Sequence, residues 1–172
     1  MIKYQYDEDT SPWLWRLATQ ADIPEMTDLA DATTRSEVDG LFTVDRDYYA
    51  YNLDVALAHQ RHYLAVEQLI CARDNTTGSL LAYGWLARGS KPAFSQDELA
   101  EARFIHVDAT LPARTRITLV AQCLEHWIRW CRACEIPVLV STSIREQQQA
   151  FMRLHAQLGF TVRGSLAYKR II

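Results

Sequence analysis

Hydrophobic and polar positions first alternate at Trp13-Leu-Trp-Arg-Leu-Ala18, which predicts a strand. Asp22-Ile-Pro-Glu25 follows as a helix start, with Asp22 as N-cap, Pro24 in the first turn and Glu25 third. Met26, Leu29 and Ala30 supply its apolar stripe. A second helix is predicted over about residues 47–60, with Tyr49, Leu53, Ala56 and Leu57 on one face. Residues 63–72 are rich in strand formers, residues 74–78 carry turn chemistry, and residues 80–86 pair back as a hairpin. A polar, proline-containing loop over 90–96 leads to a strand at 104–107.

The clearest helix spans 116–134, where Val120, Leu124, Trp127, Ile128 and Cys131 form one stripe. Residues 137–141 read as a short buried strand. Ser143-Ile-Arg-Glu146 is a capping box opening a helix whose stripe is Phe151, Leu154, His155 and Leu158. Gly159 stands where a left-handed C-cap is needed, and residues 161–163 and 166–171 close the sheet. The predicted architecture is α/β, a mixed sheet covered by helices, built as one domain over 1–172.

At 172 residues, 49% apolar and 23% charged, the chain has the composition of a globular protein with a sizeable core. No apolar run has the length of a membrane span and the first residues do not read as a signal peptide, so a cytoplasmic location is expected. Cys131-Arg-Ala-Cys134 is formally a CxxC, but no second pair stands at zinc-site spacing. Reduced structural thiols are expected and no metal. The net charge of −3 hides an asymmetry. Residues 1–54 hold twelve Asp and Glu against four Lys and Arg, whereas residues 113–172 hold nine Lys and Arg against three Glu. A basic C-terminal half suits a phosphorylated ligand, nucleic acid or an acidic protein surface, or is simply solvated.

Ala150-Phe-Met-Arg-Leu-His-Ala-Gln-Leu-Gly-Phe160, followed by Val162-Arg-Gly164, resembles a segment of the acyl-CoA-dependent N-acetyltransferases of the GNAT superfamily. Arg16-Leu-Ala-Thr-Gln-Ala-Asp-Ile23 is similar to their first strand and helix entry. The resemblance implies a mostly antiparallel central sheet flanked by helices, in the order β-α-α-β-β-β-α-β-α-β. It implies that the strand at 104–107 splays from the strand at 137–141 to admit the thioester of acetyl-CoA. The pyrophosphate would then lie on the next helix N-terminus, where backbone N–H groups and the helix dipole attract an anion. Val107, Arg114, Thr115, Arg116 and Gln148 are the implied cofactor-binding positions. The sequence departs from the family in having no glycine between Gly89 and Gly159. Ala113, Thr115 and Ile117 stand at the family's glycine positions, and the β-branched Ile117 is expected to crowd the phosphates. Arg114 and Arg116 would bind phosphate by charge, or else are solvated.

His155 takes the place of the family's acidic tyrosine, and is either the proton donor or a packed core histidine. His106 or Asp108 would take the proton from the amine, with Glu101 a weaker candidate. One reading is therefore an N-acyltransferase with a small-molecule or peptide amine as acceptor. The alternative is a catalytically inactive GNAT-fold structural or interaction protein, such as a tailed-phage virion component. It would meet protein partners or its own copies through aromatics such as Tyr48, Tyr49 and Tyr51. A nucleic-acid partner is disfavoured by the lack of a recognisable basic helix or RNA-binding motif.

Overall fold

The computed structural model describes residues 11–38, 41–143, 149–163 and 169. Its elements are β1 (Trp13–Leu17), α1 (Ile23–Glu37), α2 (Arg46–His62), β2 (Glu67–Asp74), β3 (Leu80–Ser90), β4 (Leu99–Val107), α3 (Ala113–Ala133), β5 (Val138–Val140) and α4 (Gln149–Gln157). The five strands lie in chain order across one sheet. Neighbours are antiparallel except β4 and β5, which run parallel. This is the α/β layout that the periodicities predict. Of the closing strand expected at 161–163 and 166–171, residues 161–163 form no strand, and residues 166–168, 170 and 171 fall outside the described residues, as does the opening of the last helix, including Gln148.

Two apolar layers fix the sheet between helices. On one face Met26 and Ala30 of α1 and Leu53, Ala56 and Leu57 of α2 pack on Leu69, Cys71 and Tyr83. On the other, Leu119, Cys123, Leu124, Trp127, Trp130 and Cys131 of α3 pack on Ile70, Ala72, Ala82, Leu86 and Ala100, with Leu154 of α4 and Leu158 just after it alongside. The α3 stripe is thus broader than its sequence period suggests. Ile128, expected in it, is half-buried, while Leu119 and Trp130 are buried.

Several boundaries differ from expectation for identifiable reasons. Tyr63 caps α2 with its N–H donating to His59 O, so the strand expected from 63 begins at Glu67. The β3–β4 hairpin extends much further than 80–86 and 104–107, clamped by the Arg88–Glu98 ion pair at 2.6 Å. Asp74 accepts from the N–H groups of Thr76 and Thr77, and Gly78 takes φ +74, so the expected turn forms. Asp22 does not cap α1 with its side chain. It accepts instead from Thr19, Arg16 and Arg73. Tyr49 turns inward with Leu53, Ala56 and Leu57, as the stripe of the second helix predicts and against its place beside Tyr48 and Tyr51 in the interaction reading, its hydroxyl 2.7 Å from that of Tyr83.

β4 carries an irregularity that matters for the site. Its register with β3 slips where Trp85 meets Phe104 and Leu86 meets Ala102, leaving Arg103 unpaired. Ala100 and Ala102 therefore face α3, whereas beyond the bulge Ile105 and Val107 take that face. Phe104 and His106 turn to the α1–α2 side, against Tyr49 and Tyr83.

Candidate active site

A fork opens in the sheet at its parallel edge. β4 and β5 are paired over Leu99–Val138, Ala100–Leu139 and Glu101–Val140 alone, although β4 continues to Val107. Beyond Glu101 that edge of β4 meets no described strand. Strand geometry leaves alternate N–H and C=O groups directed into the opening. Asp108 ends the strand, its carboxylate accepting from Thr110 N–H and hydroxyl at 2.8 and 2.7 Å. Thereafter Pro112 leads into α3.

α3 begins at Ala113, three residues before the expected start, because Pro112 sits at the N-cap with φ −53° already set for helix entry. That shift moves Ile117 to the fifth helical position. Its side chain is 55% exposed and lies past the first turn. Pro112 supplies no side-chain cap, and no acidic residue stands in the first turn. The N–H groups of Ala113, Arg114 and Thr115 have no intrahelical acceptor, and the bonded series starts with Arg116 N–H to Pro112 O at 3.0 Å. Arg114 and Arg116 are exposed beside them, and Thr115 is half-buried. The result is an uncapped, positively charged helix start directly after the open strand. Backbone amides and the helix dipole at such a place favour an anion without glycine in the turn.

At the far side of the fork stands a second group of polar atoms. His155 on α4 is almost fully buried, its ring against Phe151 and Phe160 with centroids 4.2 and 4.8 Å away. Its Nδ1 lies 2.8 Å from Phe151 O and its Nε2 2.9 Å from Ser141 Oγ. A carbonyl can only accept, so Nδ1 carries the proton. Nε2 of the neutral ring then accepts from the Ser141 hydroxyl. Burial pushes the imidazole pKa down, with the Phe151 carbonyl opposing, so the ring is neutral around pH 7. The ring is thus packed in the core with both nitrogens engaged.

His106 is on the opposite face, buried, with Nδ1 3.0 Å from Thr33 Oγ1 of α1 and its ring near Tyr83 and Phe104. Above it a cleft of about 670 Å³ opens between α1, α2 and the sheet. Phe42, Tyr48, Tyr49, Trp85 and Phe104 form its apolar walls, and Asp31, Asp45 and Glu67 line it together with Arg46 and Arg103. The Glu67 carboxylate receives Trp85 Nε1 at 2.9 Å. Burial raises the Tyr49 and Tyr83 hydroxyls well above their ordinary values, so both stay protonated.

No family model and no curated protein sequence matches the chain. Solved structures do. An aminoglycoside 6'-N-acetyltransferase from Acinetobacter baumannii superposes with a TM-score of 0.66 over 93% of this chain and 99% of its own, at 14% identity. Glucosamine-6-phosphate N-acetyltransferase from Arabidopsis thaliana gives 0.67 over 94% and 100%, at 13% identity. A predicted acetyltransferase from Clostridium acetobutylicum, solved with acetyl-CoA, gives 0.70 over 92% and 96%, at 10% identity. The fold is that of the GNAT N-acetyltransferases. Within this GNAT fold, Val107, Arg114, Thr115 and Arg116 gather at the open strand end and helix start, as do Asp108 and the fork itself. His155 faces the fork from α4, whereas His106 lies across the sheet beneath the cleft. Glu101 is held at the paired end of β4, its Oε2 3.4 Å from Arg103 Nη1 and its Oε1 accepting from Ser90 Oγ at 2.5 Å. Sequence reasoning passed over the Ser141–His155 hydrogen bond; Ser141 follows β5, a strand expected to be buried but half-buried throughout. It also missed the cleft, whose walls come from five separate segments.

Proposed function

We propose that this protein is an acyl-CoA-dependent N-acyltransferase that moves an acetyl group to an amine. The observation that carries the reading is the fork between β4 and β5, which runs out at the uncapped, arginine-flanked start of α3. Acetyl-CoA would supply an activated acyl group on a thioester. The amides of Ala113, Arg114 and Thr115 would meet its pyrophosphate, with the guanidinium groups of Arg114 and Arg116 adding charge. Val107 would line the opening, and Gln148 remains an expected contact.

The acceptor amine fits the cleft on the α1–α2 face. Aromatic walls favour an acceptor with an apolar or planar body, and the mixture of carboxylates and guanidinium groups around them suits an acceptor that carries both an amine and hydrogen-bonding groups. His106 is better placed than Asp108 to take the amine proton, because it packs against Phe104 and Tyr49, which wall the cleft. The Asp108 carboxylate is engaged with Thr110.

Isothermal titration with acetyl-CoA tests the reading. Saturable binding is expected, weakened about three- to tenfold by Arg114→Ala or Arg116→Ala, the scale of an exposed charge-assisted contact. Absence of heat at millimolar ligand would remove the cofactor and leave the fold as an interaction scaffold.

A further inference from the structure

We infer that the acceptor is an aromatic amine whose opposite end carries a carboxylate, and that Arg103 is the residue that selects it. The inference rests on the acyltransferase reading, which places the amine in the α1–α2 cleft, and it names the class of molecule that the cleft takes.

The β4 bulge carries the argument. On a regular strand Arg103 would point away from Phe104, because neighbouring side chains alternate between faces. The slipped register leaves Arg103 outside the ladder, and Arg103 and Phe104 both line the cleft. The bulge thus adds a guanidinium to an aromatic wall. The engagements of the other charged groups lining the cleft set Arg103 apart. Glu67 accepts from Trp85 Nε1 at 2.9 Å through one oxygen and lies 3.0 Å from His59 Nδ1 through the other. Asp31 accepts from Arg35 Nε at 2.7 Å, and Asp45 caps α2 by accepting from Tyr48 N–H at 2.9 Å. Arg46 donates to Asp28. Arg103 instead has Glu101 at 3.4 Å, beyond the length of a charge-assisted hydrogen bond, and its side chain is half-exposed. Among the described residues of the cleft it is the least committed charge. Its planar fork is the geometry that takes a carboxylate through two parallel bonds.

Spacing decides where that carboxylate stands relative to the amine. His106 is the proposed base, and its ring stacks on Phe104 with centroids 5.5 Å apart. Three residues of extended chain, about 10 Å, separate Arg103 from His106. A molecule that meets both holds its amine and its carboxylate at opposite ends of a rigid body. The apolar surface between them comes from Phe104, with Tyr49 and Trp85 packed on it at 5.6 and 6.3 Å. A single negative charge suits the cleft better than a phosphate dianion, because Asp31, Asp45 and Glu67 outnumber Arg46 and Arg103.

Four probes test the inference by titration calorimetry on the chain without cofactor. 4-(Aminomethyl)benzoate carries both ends, benzylamine lacks the carboxylate, 4-methylbenzoate lacks the amine, and phenylalanine bears both charges on one carbon. The first should bind about tenfold or more tightly than each of the others, the scale of one charged hydrogen-bonded contact. Arg103→Ala should bring its affinity ratio to benzylamine close to one. Arg103→Lys should restore only part of that ratio, since an ammonium is not a fork. Arg103→Glu should reverse the preference, toward 1,4-bis(aminomethyl)benzene, and a reversal cannot come from a variant that fails to fold. With acetyl-CoA added, thiol release should show the wild-type preference as a lower KM for 4-(aminomethyl)benzoate. Equal binding of benzylamine or phenylalanine, a preference that survives Arg103→Ala, or no heat from any probe at millimolar concentration would overturn the inference. The expected probe pattern without acetyl-CoA binding would keep the carboxylate site and overturn the acyltransferase. Acetyl-CoA binding with no preference among the probes would overturn the carboxylate site and leave the cofactor reading intact.

Discussion

Asp22 accepts both nitrogens of the Arg16 guanidinium at 2.8 and 2.6 Å, and Arg73 and Thr19 besides, while almost wholly buried. Burial alone would raise its carboxyl. The hydrogen bonds from Arg16, Thr19 and Arg73 prevail and hold it well below the usual carboxylate range. Because the folded value is depressed, its stabilisation is fully present above the unfolded value of about 4 and is lost as pH falls below it. Asp22→Asn is expected to cost about 3 kcal/mol at pH 7, since it leaves two guanidinium groups without their shared anion. Urea denaturation at pH 7 and again near pH 3 checks this, and the difference from wild type should shrink in acid. The free thiols behave otherwise. Burial pushes Cys71 up to about 11 and Cys131 up to about 12, which makes them inert packing groups at neutral pH.

The placement of α3 rests on one glycine. A Cβ at Gly84 would collide with Cys123 Sγ and stand 2.8 Å from Trp127 Cζ2, so the middle of β3 admits the helix only without a side chain. Gly84→Ala should cost about 1–3 kcal/mol by overpacking, read as a lower urea midpoint with an unchanged slope. The other end of α3 separates stability from function. Pro112→Asp adds a side-chain cap worth about 1 kcal/mol to the helix. It also places a negative charge where the pyrophosphate is proposed to sit, and should weaken acetyl-CoA binding about tenfold. Thermal unfolding and titration on the same variant would show the two effects in opposite directions. If CoA affinity were unchanged, the helix start would not be the phosphate site.

At the scale of the whole molecule, the sheet separates the two proposed half-sites. The fork, Ser141 and the α3 start lie at the parallel edge, and the aromatic cleft with His106 lies on the α1–α2 face. Phe104→Ala should raise the KM for an acceptor amine, and Arg114→Ala should raise the Kd for acetyl-CoA. Lacking shared partners, the two changes should add within about 0.5 kcal/mol in the double variant. The sequence by itself determined the order and type of most elements, because each amphipathic stripe must face a core and each turn needs its own residues. Gly78 and Gly159, both left-handed here, were legible for that local reason. It also pointed to the GNAT fold through the segment around Leu158, Gly159 and Phe160. Long-range geometry decided the rest. The early start of α3, which places Ile117 past its first turn, follows from Pro112 at the N-cap. The bulge at Arg103 turned His106 toward the cleft, and no period in the sequence records where a strand slips by one residue. The hydrogen bond between Ser141, just past β5, and His155 of α4 depends on how that helix packs, so it exists only in the folded chain.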